Sequence, residues 1–235
     1  MVLAVAGIAW LISSGRVGPD ALLFFAVLVP SVILHEVSHG VVALWFGDTT
    51  AKEAGRLTLN PIKHVDPFGT LILPAIMVLS TGSAFGYAKP VPVRPGRLRK
   101  PRGQSVLVSL AGPATNLVLV GFATIGLLAL SPRPNGDRLV SDFVFGTLLE
   151  RAGTVAACLF LFGLANVVLA VFNMIPLPPL DGSALIERLV PDRYLTQWYS
   201  MQKYSMMVLV VLFLFVPGFF AKLITPGIRL WLALL

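Results

Sequence analysis

His35, Glu36 and His39 stand together in the run "VILHEVSHGVV". On a helix, residues four apart share one face and lie one turn from each other. Two imidazoles at that spacing can converge on a single tetrahedral metal ion. Glu36 lies about 100° round the helix from His35, close enough to reach a water beside the metal without being a ligand. H-E-x-x-H of this kind supplies two zinc ligands and a general base. The chain has only 3 His, and two of them fall in this frame. The ordinary alternative is a polar patch for helix–helix hydrogen bonding. In lipid, however, an ionisable group near mid-bilayer costs roughly 2.5–3.5 kcal/mol, which argues against an idle placement.

A catalytic zinc needs a third protein ligand and one open position. Apart from the motif the chain offers only His64 and a lone Cys158, so a carboxylate is the natural third donor. Asp181, in "NMIPLPPLDGSAL", is well placed. Pro176, Pro178 and Pro179 stop the preceding helix and leave an extended segment that can turn Asp181 inward. Gly182 then allows close backbone approach. The other role for Asp181 is to cap the next helix. His64 and Asp66 in "KHVDPFG" are rivals for the metal, and Glu150 and Glu187 are the Glu candidates for a metalloprotease of another class.

These residues sit in a chain that is 56% hydrophobic and 12% charged, with a mean hydropathy of +0.85. That is far more apolar than a soluble domain, and several runs approach the ~20 residues needed to cross a bilayer as a helix. The expected fold class is an all-α polytopic membrane protein with about five to six transmembrane helices. Helices are expected at Val2–Ser13, Ala21–Phe46, Ser105–Leu130, Ala152–Ile175 and Tyr204–Phe220. The stretch "LITPGIRLWLALL" reads as a further short segment or an interfacial helix. One membrane-embedded domain over 1–235 is expected, with a catalytic core at about 21–190 and C-terminal helices at about 204–235. Counted from Ala21 at 1.5 Å per residue, His35 lies roughly 21 Å and His39 roughly 27 Å into a core ~30 Å thick.

Between the second and third main helices "GRLTLNP" alternates polar and apolar residues, which predicts a short strand at Gly55–Asn60. "FGTLILPAIMVLS" is apolar but short and contains Pro74, and "GYAKPVPVRPGRLRKPRG" is Pro-rich and extended. If Phe68–Ser80 dips into the membrane and returns, the His pair and Asp181 reach the same face; if it crosses, they do not. The re-entrant reading is therefore expected. The net charge of +7 collects in the loop holding Lys89, Arg94, Arg97, Arg99, Lys100 and Arg102. A basic loop between apolar segments marks a cytoplasmic connection facing anionic lipid, not a nucleic-acid site. A single Cys158 rules out an intrachain disulfide. "MVLAVAGIAWLISSG" lacks a basic start, so it reads as a membrane segment and not a signal peptide.

Three segments in this order, "HEVSH", "AGPATN" and "NMIPLPPLDG", resemble the site-2 protease family of intramembrane zinc metalloproteases, and "LNPIKHVDPFGT" and "GYAKPVPV" resemble its compact bacterial branch. The likeness extends from about Ser31 to Ser183. It implies Zn2+ held by His35, His39 and Asp181, with Glu36 as the base and Asn173 beside the reacting centre. Gly112, Pro113 and Asn116 match the family's G-x-x-x-N helix, for which close helix packing and interhelical hydrogen bonding are the plainer roles. No stretch is long enough for the PDZ or CBS appendages found elsewhere in the family.

The expected reaction is hydrolysis of a peptide bond in a transmembrane protein substrate, in a bacterial plasma membrane, with the site near the cytoplasmic side. A helical substrate must unwind to expose its peptide bonds. Asn116, together with Leu57 and Asn60 of the expected strand, are the candidate substrate contacts; the strand and "KPVPV" can add to an unwound backbone. The competing readings are a membrane metalloprotease acting on prenylated or misfolded proteins and a non-enzymatic metal carrier. A carrier has no need of Glu36 and calls for further ionisable residues along a path, which the helix interiors lack.

Overall fold

Proline at the first helical position gives up only an N–H that would be unbonded anyway, and two of the long helices begin this way. The computed structural model describes residues 18–73, 86–131, 134–216 and 218–235. Helix α1 is Pro19–Trp45, the short α2 is Thr50–Glu53, and α3 is Pro101–Leu130. Then come α4, Gly136–Val144, α5, Leu148–Ala152, and α6, Thr154–Asn173. The chain ends with α7, Ser183–Leu189, α8, Leu195–Gln202, α9, Ser205–Phe215, and α10, Phe219–Leu232. Among the described residues the secondary structure is helical, without strands.

Helices α1, α3 and α6 contain 27, 30 and 20 residues and are long and apolar enough to cross a membrane. At 1.5 Å per residue they measure about 40, 45 and 30 Å. A bent pair, Asp192–Gln202 with Ser205–Phe215, meets the same test as one span broken by 57°. The three long helices pack against one another, and α10 packs on α6. Their main core joins Val120 and Leu127 of α3 to Phe160, Leu161 and Leu164 of α6 and Trp231 of α10. Trp231 stacks on Phe160 with ring centroids 5.5 Å apart and donates its indole N–H to Thr124 Oγ1 at 2.9 Å. Buried Asp20 of α1 accepts from the N–H groups of Leu148 (2.8 Å) and Leu149 (3.0 Å), so it caps α5 from another helix.

Three expectations shift. Helix α3 starts at Pro101 and not at Ser105, because Pro101 takes the first helical position. The expected helix Tyr204–Phe220 breaks at Gly218, whose φ of 74° is open to glycine. Beyond that break a single helix, α10, runs past Pro226 to Leu232. Gly55–Asn60 is irregular and not a strand. Its extended neighbour carries Pro90 and Pro92, which have no N–H for a ladder. The expected helix Val2–Ser13 and the part of Phe68–Ser80 from 74 onward lie outside the described residues.

That extended neighbour, residues 86–94, is a strap tied down through four of its N–H groups. Tyr87 N–H donates to Gly69 O (3.0 Å) and Lys89 N–H to His64 O (2.9 Å). Val91 N–H donates to Glu36 Oε2 (2.8 Å), and Arg94 N–H to Asp48 Oδ2 (2.6 Å). Arg56 Nη2 adds a bond to Lys89 O at 2.6 Å. The strap thus runs beside α1 with one edge committed to the protein.

Candidate metal centre

His35 and His39 lie on the buried face of α1, 5% and 8% exposed. Their rings meet edge to face with centroids 4.7 Å apart, as the four-residue spacing requires. Each Nδ1 has an acceptor: Asn116 Oδ1 at 2.5 Å for His35 and Val108 O at 2.7 Å for His39. The polarity of the first contact is fixed by a chain of bonds. Val27 O accepts from Ser31 Oγ (2.8 Å), and Asn166 Nδ2 donates to Ser31 Oγ (2.9 Å) and Phe162 O (2.8 Å). Asn166 Oδ1 is therefore the acceptor for Asn116 Nδ2, at 2.7 Å, which leaves Asn116 Oδ1 facing His35. Since carbonyl oxygens only accept, both rings carry a proton on Nδ1, and in the neutral ring the lone pair is on Nε2, the atom that faces Asp181.

Asp181 arrives from the opposite side. After α6 the chain turns through Pro176–Pro179, and Gly182 N–H donates to Asn173 O at 2.6 Å. A Cβ at Gly182 would stand 2.4 Å from Met174 O, so the turn closes only with glycine there. The Asp181 side chain does not cap α7, which has no side-chain cap. Its Oδ2 lies 3.1 Å from His35 Nε2 and 3.4 Å from His39 Nε2. Oδ2 is buried without a hydrogen-bond partner.

Two neutral imidazoles so oriented offer their Nε2 lone pairs beside a carboxylate oxygen, a donor set that could hold a metal ion. Ligand atoms of a tetrahedral zinc bonded at 2.0–2.1 Å stand about 3.4 Å apart, close to the separations found. The three donors lie within 4.8 Å of one another and form the only such group among the described residues. The residues present fit a zinc ion. Space for it depends on Gly112 of α3, where a Cβ would stand 2.4 Å from His35 Cε1 and 2.5 Å from His39 Nε2.

Glu36, Asn173 and the three donors line one cavity of about 490 Å³, bounded by the strap, α3, α6 and α7. With Oε2 of Glu36 bound to Val91 N–H, Oε1 is left for the cavity. Asn173 uses one amide hydrogen on Leu169 O (3.0 Å) and keeps a second donor.

The rivals for the metal are engaged elsewhere. His64 is buried with Nε2 on Thr58 O, and Asp66 caps the π-helical turn Pro67–Ile72 through Phe68 and Gly69 N–H. Glu150 is exposed on α5. Glu187 lines the cavity, but its carboxylate is held by α8.

Of the expected substrate contacts, Asn116 is fully buried and commits its amide to His35 and Asn166. Leu57 packs over α1 at Gly40, and Asn60 caps the turn Pro61–His64 through Ile62 N–H. None of the three lines the cavity.

Sequence reasoning passed over Ser31 and Asn166, although a polar side chain inside "CLFLFGLANVVLAVF" is a visible signal in an apolar helix. Val108 O and Val91 N–H leave no trace in residue type.

Comparison with known proteins agrees with this geometry. The pattern of Peptidase family M50 matches residues 23–216. "Putative zinc metalloprotease YwhC" of Bacillus subtilis is 44% identical over 186 residues, covering 79% of this chain and 77% of that protein. "Putative zinc metalloprotease Rip2" of Mycolicibacterium smegmatis is 30% identical over 211 residues, 89% of this chain and 70% of that one. The protein of the same name from Mycobacterium tuberculosis is 33% identical over 184 residues, 78% and 63%. No solved structure matches the chain at a significant level. With the family pattern extending over both halves of the site, from His35 to Asp181, the chain belongs to peptidase family M50.

Proposed function

We propose that this integral membrane protein is a zinc-dependent endopeptidase that cuts transmembrane protein substrates within or near the bilayer. The convergence of His35 Nε2, His39 Nε2 and Asp181 Oδ2 on one point is the observation that carries this reading. His35, His39 and Asp181 hold the metal, and Glu36 is the base. The similarity to proteins named as zinc metalloproteases supports zinc as the ion, and membership of a peptidase family argues against a carrier.

When bound, zinc supplies a Lewis acid that acidifies water and polarises a carbonyl. Glu36 Oε1 takes the proton from the attacking water, and Glu36 then returns it to the amide nitrogen as the C–N bond breaks. Asn173 Nδ2 donates to the substrate carbonyl oxygen as negative charge develops there. The strap holds Glu36 in place from behind, and its free edge is available to an unwound substrate backbone.

The chain forms a single membrane domain over 1–235 with five to six spans, in a bacterial plasma membrane, its cavity facing the cytoplasm. The basic loop beside the strap supports that side. Support for a re-entrant Phe68–Ser80 comes from its flanks. Tyr87 is bonded through N–H to Gly69 O and through O to Thr70 Oγ1 (2.9 Å), so the chain leaves this point and comes back to it.

The test is cleavage of a transmembrane peptide by purified protein in detergent or liposomes. Glu36→Gln is expected to lower kcat by about 10²–10⁴-fold. Unchanged turnover in that variant would refute the mechanism.

A further inference from the structure

Glu187 is a charged group in the cavity that the mechanism does not use. It sits on α7, which begins two residues after Asp181, and Ser183, Ala184 and Glu187 present one face of that helix to the cavity. Its Oε1 accepts from Tyr199 OH at 2.9 Å, and its Oε2 from Trp198 Nε1 at 3.2 Å and Gln202 Nε2 at 3.4 Å. All three donors are neutral. They fix the direction of the carboxylate without removing its charge, and a carboxylate has about four acceptor positions, so one remains. Among the described residues no Lys or Arg forms an ion pair with Glu187, and none lines the cavity. With zinc bound, the divalent ion would be balanced by Glu36 and Asp181, which leaves Glu187 as the cavity carboxylate without an ion-pair partner among the described residues.

We infer that Glu187 is a specificity residue: it receives a basic side chain, Lys or Arg, of the substrate. This rests on the protease reading and adds the class of substrate that the site selects. Glu187 lies six positions beyond Asp181, through the turn at Asp181 and Gly182 and the first five residues of α7, an axial rise of about 9 Å. An extended substrate covers that distance in about three residues at ~3.3 Å each. Cytoplasmic flanks of transmembrane segments are enriched in Lys and Arg. Glu187 therefore reads the basic flank of a membrane segment and sets the peptide bond about three residues away at the reacting centre.

The experiment uses the full-length protein with zinc and one transmembrane peptide, its cleavage point located by mass spectrometry. Lys, Gln or Glu is then placed in turn at each of about five positions on either side of that point. For Lys at about three residues from the bond, on one side, kcat/KM is expected to exceed that for Gln by about tenfold, with Glu worse than Gln. In Glu187→Gln, whose one carbonyl oxygen can still accept from Trp198 and Gln202 while its amide donates to the Tyr199 hydroxyl oxygen, the Lys-to-Gln ratio falls to within about twofold of one, and in Glu187→Lys the preference passes to Glu. A purely structural Glu187 lowers all peptides together and leaves the ratio intact; that result overturns the inference. If the variants do not fold, wild type alone decides, since the Lys preference must fade between about 50 mM and about 500 mM salt, and a salt-independent preference or none contradicts the inference. Failure of wild type to cut any peptide in the series counts against the protease reading instead.

Discussion

The imidazoles of His35 and His39 are held by side chains and a carbonyl inside three packed helices, whereas Glu36 and Asp181 are held by segments that are not helical. On the first side Val27 O, Ser31, Asn166 and Asn116 form a buried relay that ends at His35. On the second, a strap N–H holds Glu36 and a glycine-closed turn carries Asp181. A relay of this kind fixes a ring tautomer and direction, which is what a metal ligand requires. A strap and a turn can admit a substrate, because their outer edge is not committed to a helix. On the proposed mechanism the contrast separates two tasks: the helical relay tunes metal affinity and the strap tunes turnover, while the turn supplies the remaining metal donor.

Three substitutions sharpen that contrast. The largest effect is expected from Gly112→Ala, whose Cβ would stand 2.4–2.5 Å from both rings. Neither ring can yield without losing its Nδ1 bond, so zinc affinity should drop by about a hundredfold or more, measured against a chromophoric chelator. Asn116→Leu cuts the relay at the ring and should cost roughly 10–100-fold in the same titration. Val91→Pro removes the N–H that holds Glu36 and reshapes a buried side chain packed over Gly40, in a stretch where Pro90 and Pro92 already restrict the backbone. It should lower kcat by about tenfold with zinc affinity within about twofold of wild type. If Val91→Pro released zinc, or Asn116→Leu slowed turnover without touching zinc, the division between the halves would fail.

The two halves also differ in what their sequence discloses. His35, Glu36 and His39 are legible because helical spacing converts residue type directly into a face. Asp181 is legible because prolines and a glycine mark the turn that carries it. Asn116 could be placed on a packing helix but not joined to His35, since the contact spans 81 residues. The strap was readable as extended and not as the holder of Glu36, because a backbone N–H is common to every residue but proline. The strand expected at Gly55–Asn60 failed for a related reason: alternation describes one chain, while a strand needs a partner with free N–H groups. Helices α4 and α5 escaped notice because they are short and polar, and Asp20 caps α5 from 128 residues away.

Asp181 is where the halves meet, a metal donor carried on a turn, and its role is the central claim. The direct test is the zinc content of purified wild type, Glu36→Gln, Asp181→Ala and His64→Ala after dialysis against a weak chelator. About one zinc per chain is expected in wild type, Glu36→Gln and His64→Ala, and less than about a tenth of that in Asp181→Ala. Full zinc in Asp181→Ala together with loss in His64→Ala would contradict the account.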